Sequence, residues 1–270
     1  MKNGELITFK GLHLIGVDGT RIACENTAEL ITEFGCSGIQ KTACTALASV
    51  AYDLIERVSF DCQIGSYSLS ERNLLDRHLN RLEVLGLQDS VLVGDRGYPS
   101  YDLMELENKT EYLMTNLGAN ILSIDEAKQI YSRRWNVETF FGFLKTELEL
   151  ENFSGKTKNA VLQEYYATMM IANLCQCFIN DADIEIAERG ENSDNIYTYQ
   201  ANRRQCVGQI VPVFFECLLT ESRRKQNKLW KEVEQFCERF SEPIRPGRNP
   251  LRKTPRDKKF YANARKPGLS

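Results

Sequence analysis

No stretch of this 270-residue chain approaches the ~18 consecutive apolar residues of a membrane span. The first ten residues also lack the apolar core of a signal peptide. A membrane-spanning or exported protein is therefore not expected, and this reading assigns the chain to the cytoplasm. A disulfide framework is missing too. The nine cysteines are odd in number and scattered from Cys24 to Cys237, the pattern of free thiols in a reducing compartment. Cys175 and Cys177 form a C-x-C pair with no second Cys or His pair at ligand spacing, so they read as buried helix residues and not as a zinc site. Proline is scarce until the end, where Pro243, Pro246, Pro250, Pro255 and Pro267 are five of the seven in the chain. Acid is scarce there as well. Residues 244–268 carry nine Lys and Arg against the single acid Asp257, a net +8 that leaves −11 on the remainder. Prolines at that density prevent a long helix, and an extended basic segment can follow the backbone of a polyanion. A solvated tail with no partner has the same composition.

What is present is ordinary globular material, 42% hydrophobic and 26% charged, long enough to bury a sizeable core. Residues 12–17 form a short apolar run that ends at Asp18-Gly19-Thr20 and reads as a buried strand. Residues 43–55 are apolar enough for strand or helix, and 57–64 alternate like a strand. Ser68 and Glu71 fit a capping box opening a helix with leucines at helical spacing through Leu85 and Gly86 as its stop. A second short apolar run, 90–93, precedes Gly94 and Asp95-Arg96-Gly97-Tyr98. Pro99 then opens a helix to about Lys109, and 111–117 read as a strand. This alternation argues for an α/β (α+β) core. Beyond Lys156 the segments 160–187 and 207–239 are both helix-like, and the second half is expected to be helical.

Ser123 and Glu126 form another capping box, and no Pro or Gly interrupts 124–141, so one helix is expected to run to about Leu148. At about 100° per residue, Tyr131, Arg134, Glu138 and Lys145 fall within roughly 60° of one another. Ile130, Val137, Phe141, Leu144 and Leu148 line the adjoining face, which docks the helix. Rising ~1.5 Å per residue, the polar stripe is about 21 Å long, too long for one small molecule and suited to a polymer. A solvated face with an incidental Arg134–Glu138 pair would look the same. Trp135, off this stripe, is expected in the core.

Phosphoryl transfer on nucleic acid uses two divalent ions about 3.5 to 4 Å apart, and such hard ions take carboxylate oxygens. Asp18 and Asp95 each follow a short apolar run. Were those strands parallel neighbours, both carboxylates would emerge at one edge of the sheet, and Glu138 could close the cluster from the docked helix. Taken singly, an Asp at a strand end is usually a turn former. The combination with the helix face is what carries weight.

The spacing of Tyr131, Arg134, Glu138 and Lys145 resembles the YREK motif of bacterial DDE transposases of the insertion sequence 4 type. Four residues, each used at ~5%, match such a pattern by chance at roughly one position in a hundred thousand. Asp18-Gly19-Thr20 and Asp95-Arg96-Gly97-Tyr98 are similar to that family's first and second catalytic blocks. Tyr52-Asp53-Leu54, Glu71-Arg72 and residues 118–155 are similar as well. The resemblance implies an RNase H-like mixed sheet flanked by helices. It also implies that Asp18, Asp95 and Glu138 bind two Mg²⁺ or Mn²⁺ ions, and that Tyr131, Arg134 and Lys145 hold phosphates of DNA. A guanidinium gripping a phosphate bidentately and an ammonium acting as a point charge suit those roles.

Three segments follow from these readings: a catalytic core over 1–155, a helical part over 156–241 and a basic, proline-rich tail over 242–270. Only 17 residues precede Asp18, and Asp95 and Glu138 stand 43 positions apart. The N-terminal DNA-binding region and the β-rich insertion usual in the family are therefore expected to be missing, with Glu111-Tyr112-Leu113 marking the join. The expected function is hydrolysis of the phosphodiester at a transposon end and transfer of the 3′-hydroxyl to target DNA, by a homodimer when two ends are paired. A non-catalytic DNA-binding regulator and a metal-dependent nuclease are the alternatives.

Overall fold

The computed structural model describes residues 6–37, 43–94, 121–190 and 196–245. Residues 7–166 form one compact unit, and the chain from Ala167 onward groups into a second.

The first unit is built on a mixed sheet. Its strands are β1 (His13–Ala23), β2 (Cys36–Ser37), β3 (Ala43–Asp53), β4 (Ser59–Ser66) and β5 (Ser90–Val93). Helix α1 (Ala28–Phe34) lies between β1 and β2, and α2 (Glu71–Val84) between β4 and β5. β3 pairs antiparallel with β1, β2 and β4, whereas β5 is parallel to β1, with His13 opposite Ser90 and Gly16 opposite Val93. The two short apolar runs are thus parallel neighbours, which meets the condition for two acids at one edge of the sheet. From Cys44 onward every residue of β3 is buried, which explains why 43–55 carries no alternation: a strand covered on both faces reads as a continuous apolar run. The architecture is α/β with helices flanking a mixed sheet, consistent with the RNase H-like expectation.

β1 is longer than its apolar run. It continues through Asp18-Gly19-Thr20 to Ala23, so Asp18 stands in the middle of a strand and not at its end. Antiparallel pairing with β3, from Ile15 opposite Asp53 to Ala23 opposite Thr45, overrides the local turn signal of Asp-Gly.

The expected helix after Ser123 is two helices, α3 (Ile124–Ser132) and α4 (Trp135–Thr146). The Ser123–Glu126 capping box is present. Between the helices the chain tightens into i→i+3 bonds: Arg133 N to Ile130 O and Arg134 N to Tyr131 O at 3.0 Å, then Asn136 N to Arg133 O at 2.9 Å. α2 is also capped two residues later than expected, by Ser70 with Asn73 and not by Ser68 with Glu71.

α4 docks on β1 through Val137, Phe140, Phe141 and Leu144, all buried. The close approach depends on Gly16. A Cβ there would lie 2.7 Å from both Val137 Cγ2 and Leu54 Cδ2. Asn136 Nδ2 also donates to Leu54 O at 3.3 Å. By contrast, a Cβ on Gly19 would meet Glu71 of α2, 3.0 Å from its Oε1. Since alternate residues face opposite sides of a strand, Gly16 and Asp18 point toward α4, and Gly19 and Arg21 toward α2.

Helix α5 (Lys158–Gly190) leads into the second unit, which holds α6 (Arg203–Leu218), α7 (Arg223–Arg239) and a two-stranded sheet of β6 (Tyr199–Ala201) and β7 (Ser241–Pro243). This part was expected to lack strands; three-residue strands leave no periodicity to read. Inside it, Arg203 donates to Gln176 Oε1 at 2.7 Å, Asp183 accepts from Ala201 N at 2.7 Å, and Phe178 stacks on Trp230. Cys175 is buried and Cys177 half-buried on α5, and all nine cysteines are free. Among the described residues no helix is long and apolar enough to cross a membrane.

Candidate active site

The site forms where α4 crosses β1. The Asp18 side chain, 13% exposed, accepts from Gly19 N at 2.8 Å through Oδ1. Its other oxygen, Oδ2, lies 3.8 Å from Nη1 of Arg134. Nη2 of the same guanidinium donates to Glu138 Oε1 at 2.8 Å. Two of the three expected carboxylates are therefore brought together around one cation. The tightened turn between α3 and α4 is what aims Arg134, the first residue before α4, at β1. Its guanidinium also lies 5.9 Å from the ring centroid of Tyr131 and 5.8 Å from that of Trp135. Burial alone would pull the guanidinium pKa down, but the hydrogen bond and charge of Glu138, with Tyr131 and Asp18 beside it, raise it. Nε of Arg134 is buried with no hydrogen-bond partner.

Asp95 lies outside the described residues. The strand that leads to it ends at Val93, and Val93 is paired with Gly16, two positions before Asp18. Residues 14–174 match the family described as transposase DDE domain, which covers more than half of the sequence. The chain belongs to the DDE transposase family. No curated protein and no solved structure matches it. The matched span of this DDE transposase domain runs from β1 into α5 and contains Asp18, Asp95, Tyr131, Arg134, Glu138 and Lys145.

Lys145 sits three turns along α4 from Arg134, at the edge of β1. β5 pairs only with His13–Gly16, so among the described residues the later part of β1 has a strand, β3, on one edge and none on the other. Leu54 N bonds Leu14 O, which turns Leu14 toward β3; by alternation Gly19, Arg21 and Ala23 face the open edge. Side chains fill that edge. Asp18 Oδ1 takes Gly19 N, Lys145 Nζ donates to Arg21 O, and Glu151 Oε1 takes Ala23 N at 3.2 Å. Lys145 also pairs with Glu151 at 3.3 Å. Glu138 is partly exposed, and Lys145 is half-buried.

Alongside this edge a cleft of about 540 Å³ is lined by Thr20, Arg21, Tyr67, Glu71 and Lys145 among others. Arg21 lies over the Tyr67 ring, 5.0 Å from its centroid. Sequence reasoning did not single out Arg21 or Tyr67; each is an ordinary residue locally and gains meaning only when β1 and the end of β4 meet. Trp135 corrects the expectation of a core residue: it is 55% exposed, on the Arg134 side of α4.

Among the described residues no group of three or more metal-binding side chains is present, and the third expected ligand, Asp95, lies outside them. The donor set nonetheless fits a hard cation: Asp18 and Glu138 offer carboxylate oxygens to a shared space that a guanidinium occupies.

Proposed function

We propose that the protein is a transposase of the insertion sequence 4 type that hydrolyses the phosphodiester at the end of a DNA element and transfers the freed 3′-hydroxyl to target DNA. The observation that carries this reading is the Arg134 guanidinium held between Asp18 and Glu138. Two acids drawn from a strand and a helix share one cation-sized space, in a chain of the DDE transposase family. The parallel register of β1 and β5 supports Asp95 as the third acid, since Asp95 follows Val93 by the same two positions by which Asp18 follows Gly16. Asp18, Asp95 and Glu138 would hold two Mg²⁺ or Mn²⁺ ions, which when bound activate the attacking oxygen and offset charge on the leaving one.

The chain's own residues bind and orient. Arg134 swings from the two carboxylates to a phosphate, which a guanidinium grips bidentately. The Tyr131 hydroxyl donates to a second phosphate oxygen, and Lys145 marks the strand's path along the edge of β1. Arg21 and Tyr67 extend that path into the cleft. Exposed Trp135 offers a face for a base. With Asp95 and Glu138 only 43 positions apart, these groups take over the handling of the cleaved end from a β-rich insertion. In the proposed division, 1–155 is the catalytic core, 156–241 a helical part, and 242–270 a basic segment that adds nonspecific affinity. Two copies pair two ends.

The test is incubation of duplexes taken from the DNA flanking this reading frame with the full chain, with and without Mg²⁺. Metal-dependent nicking at an end, followed by joining to a plasmid, is expected. Glu138→Gln should abolish both and leave end binding intact. Binding without nicking would make the protein a DNA-binding regulator, nicking without joining a metal-dependent nuclease, and cleavage undiminished in Glu138→Gln would remove Glu138 from the chemistry.

A further inference from the structure

Behind Asp18, on the α2 side of the sheet, runs a buried polar chain. Asp61 on β4 accepts from His78 Nδ1 on α2 at 2.7 Å. His78 Nε2 lies 3.0 Å from the hydroxyl of Ser49 on β3, and Ser49 Oγ donates to the main-chain carbonyl of Asp18 at 2.9 Å. Gln63 donates to the same Asp61 oxygen at 2.7 Å. His78 and Ser49 are both 0% exposed. Three residues from three separate elements thus end on the backbone of one residue.

A Ser–His–Asp series suggests nucleophilic catalysis, but the burial rules it out here. No substrate reaches a fully buried hydroxyl, and its proton is committed to a carbonyl. The His78 ring bridges that hydroxyl and the Asp61 carboxylate, Nε2 on one side and Nδ1 on the other. Stability is a poor reason for such an arrangement, because buried polar groups are often matched by apolar residues of the same volume. A fully satisfied network instead fixes geometry.

We infer that Ser49, His78 and Asp61 are positioning residues for Asp18, holding its backbone from the α2 face so that its carboxylate stands fixed toward α4. The geometry requires passage through the sheet: Ser49 is the β3 partner of Gly19, whose own side faces Glu71 of α2, while the Asp18 side chain faces Arg134. Residues that orient a metal ligand from behind change metal affinity by roughly 10- to 100-fold when removed. This inference rests on the proposed role of Asp18 as a metal ligand.

The experiment measures Mn²⁺ binding directly, by the paramagnetic resonance signal of free Mn²⁺, with the full-length protein and no DNA. Ser49→Ala is expected to weaken binding by about 10-fold or more, with the thermal midpoint still cooperative and end binding in EDTA unchanged. Ser49→Thr, which keeps the hydroxyl, should recover most of the affinity. His78→Gln removes the link one step further back, and should weaken Mn²⁺ binding even if Ser49→Ala does not fold. Folded variants with wild-type Mn²⁺ affinity would overturn the positioning role. Asp18→Asn is the control: if it binds Mn²⁺ as well as the wild type, the metal-ligand reading of Asp18 fails and the inference falls with it. A clear loss in Asp18→Asn beside no loss in Ser49→Ala and His78→Gln would overturn the positioning role alone.

Discussion

Arg134 reaches Asp18 across the gap between α4 and β1, with Nη1 3.8 Å from Oδ2, while its Nη2 holds Glu138 at 2.8 Å. The guanidinium screens two acids that would otherwise repel one another, and it stands in the space that the proposed function gives to a metal ion. A resident cation competes with an incoming one. Arg134→Ala should therefore bind Mn²⁺ more tightly in the absence of DNA, by about fivefold if the lost pairing is worth ~1 kcal/mol. The same variant should nick DNA ends more slowly, because the phosphate loses its bidentate partner. Titration calorimetry with Mn²⁺ and a nicking assay would separate the two effects, and weaker Mn²⁺ binding by the variant would sink the competition argument.

Gly16 sets the distance between Asp18 and Glu138. Any Cβ there meets Val137 and Leu54 at 2.7 Å, and Val137 is the residue before Glu138. Gly16→Ala should destabilise the first unit by roughly 1–3 kcal/mol, the usual penalty for overpacking. An outward shift of α4 by about 1 Å should also lower the nicking rate by on the order of 100-fold. Urea unfolding and single-turnover nicking measure both, and a fully active, equally stable Gly16→Ala protein would show that α4 docks less tightly than the packing implies.

The two short apolar runs that lead to Asp18 and Asp95 were legible as strands because buried strands read as continuous apolar runs, whereas their parallel pairing is a tertiary fact. The Ser123–Glu126 cap was legible for the same kind of reason, a local pattern with a local cause. What escaped is set by tertiary contact. Nothing in Ser132-Arg133-Arg134 breaks a helix by propensity, yet the turn tightens there and Arg134 faces Asp18. Trp135 is a different case: at about 100° per residue it lies opposite the apolar stripe of Val137, Phe141 and Leu144, and its exposure follows that geometry and not its hydrophobicity. Ser49, Asp61 and His78 come from β3, β4 and α2, and no spacing along the chain announces that they meet.

The Asp61–His78 pair makes a prediction about acid. Burial pushes the Asp61 carboxyl up, but the hydrogen bonds from His78 and Gln63 and the charge on His78 outweigh it and hold its pKa below the ordinary value. A carboxyl with a depressed folded pKa stabilises the fold above its unfolded value, ~3.9, and that contribution disappears as pH falls through the folded value. Asp61→Asn should lose on the order of 2 kcal/mol at pH 7, since the buried His78 ring and Gln63 lose a charged hydrogen-bond acceptor. Its stability should also fall less steeply than wild type below about pH 4. Denaturant titrations between neutral pH and about pH 2 would test the sign, and parallel acid limbs for the two proteins would rule Asp61 out as the group responsible.

The cleft and the basic segment can be told apart by salt. Arg21 is one cation fixed against Tyr67, whereas residues 246–270 carry a net charge of +7. β7 ends at Pro243, and Ile244 N still bonds Thr198 O at 2.8 Å, so a truncation that spares the fold must end at Arg245 and not at Ser241. If the segment beyond Arg245 neutralises Z phosphates, removing it should reduce the slope of log affinity against log salt by about 0.9Z, equally for end and random duplexes. Arg21→Ala should reduce that slope by about 0.9, the loss of a single phosphate contact, and should weaken binding of a pre-cut end more than that of random duplex. Filter-binding titrations at several salt concentrations resolve both slopes. A slope unaltered by truncation would make the basic segment a solvated appendage, and an Arg21→Ala protein with unchanged end affinity would move the DNA strand out of the cleft.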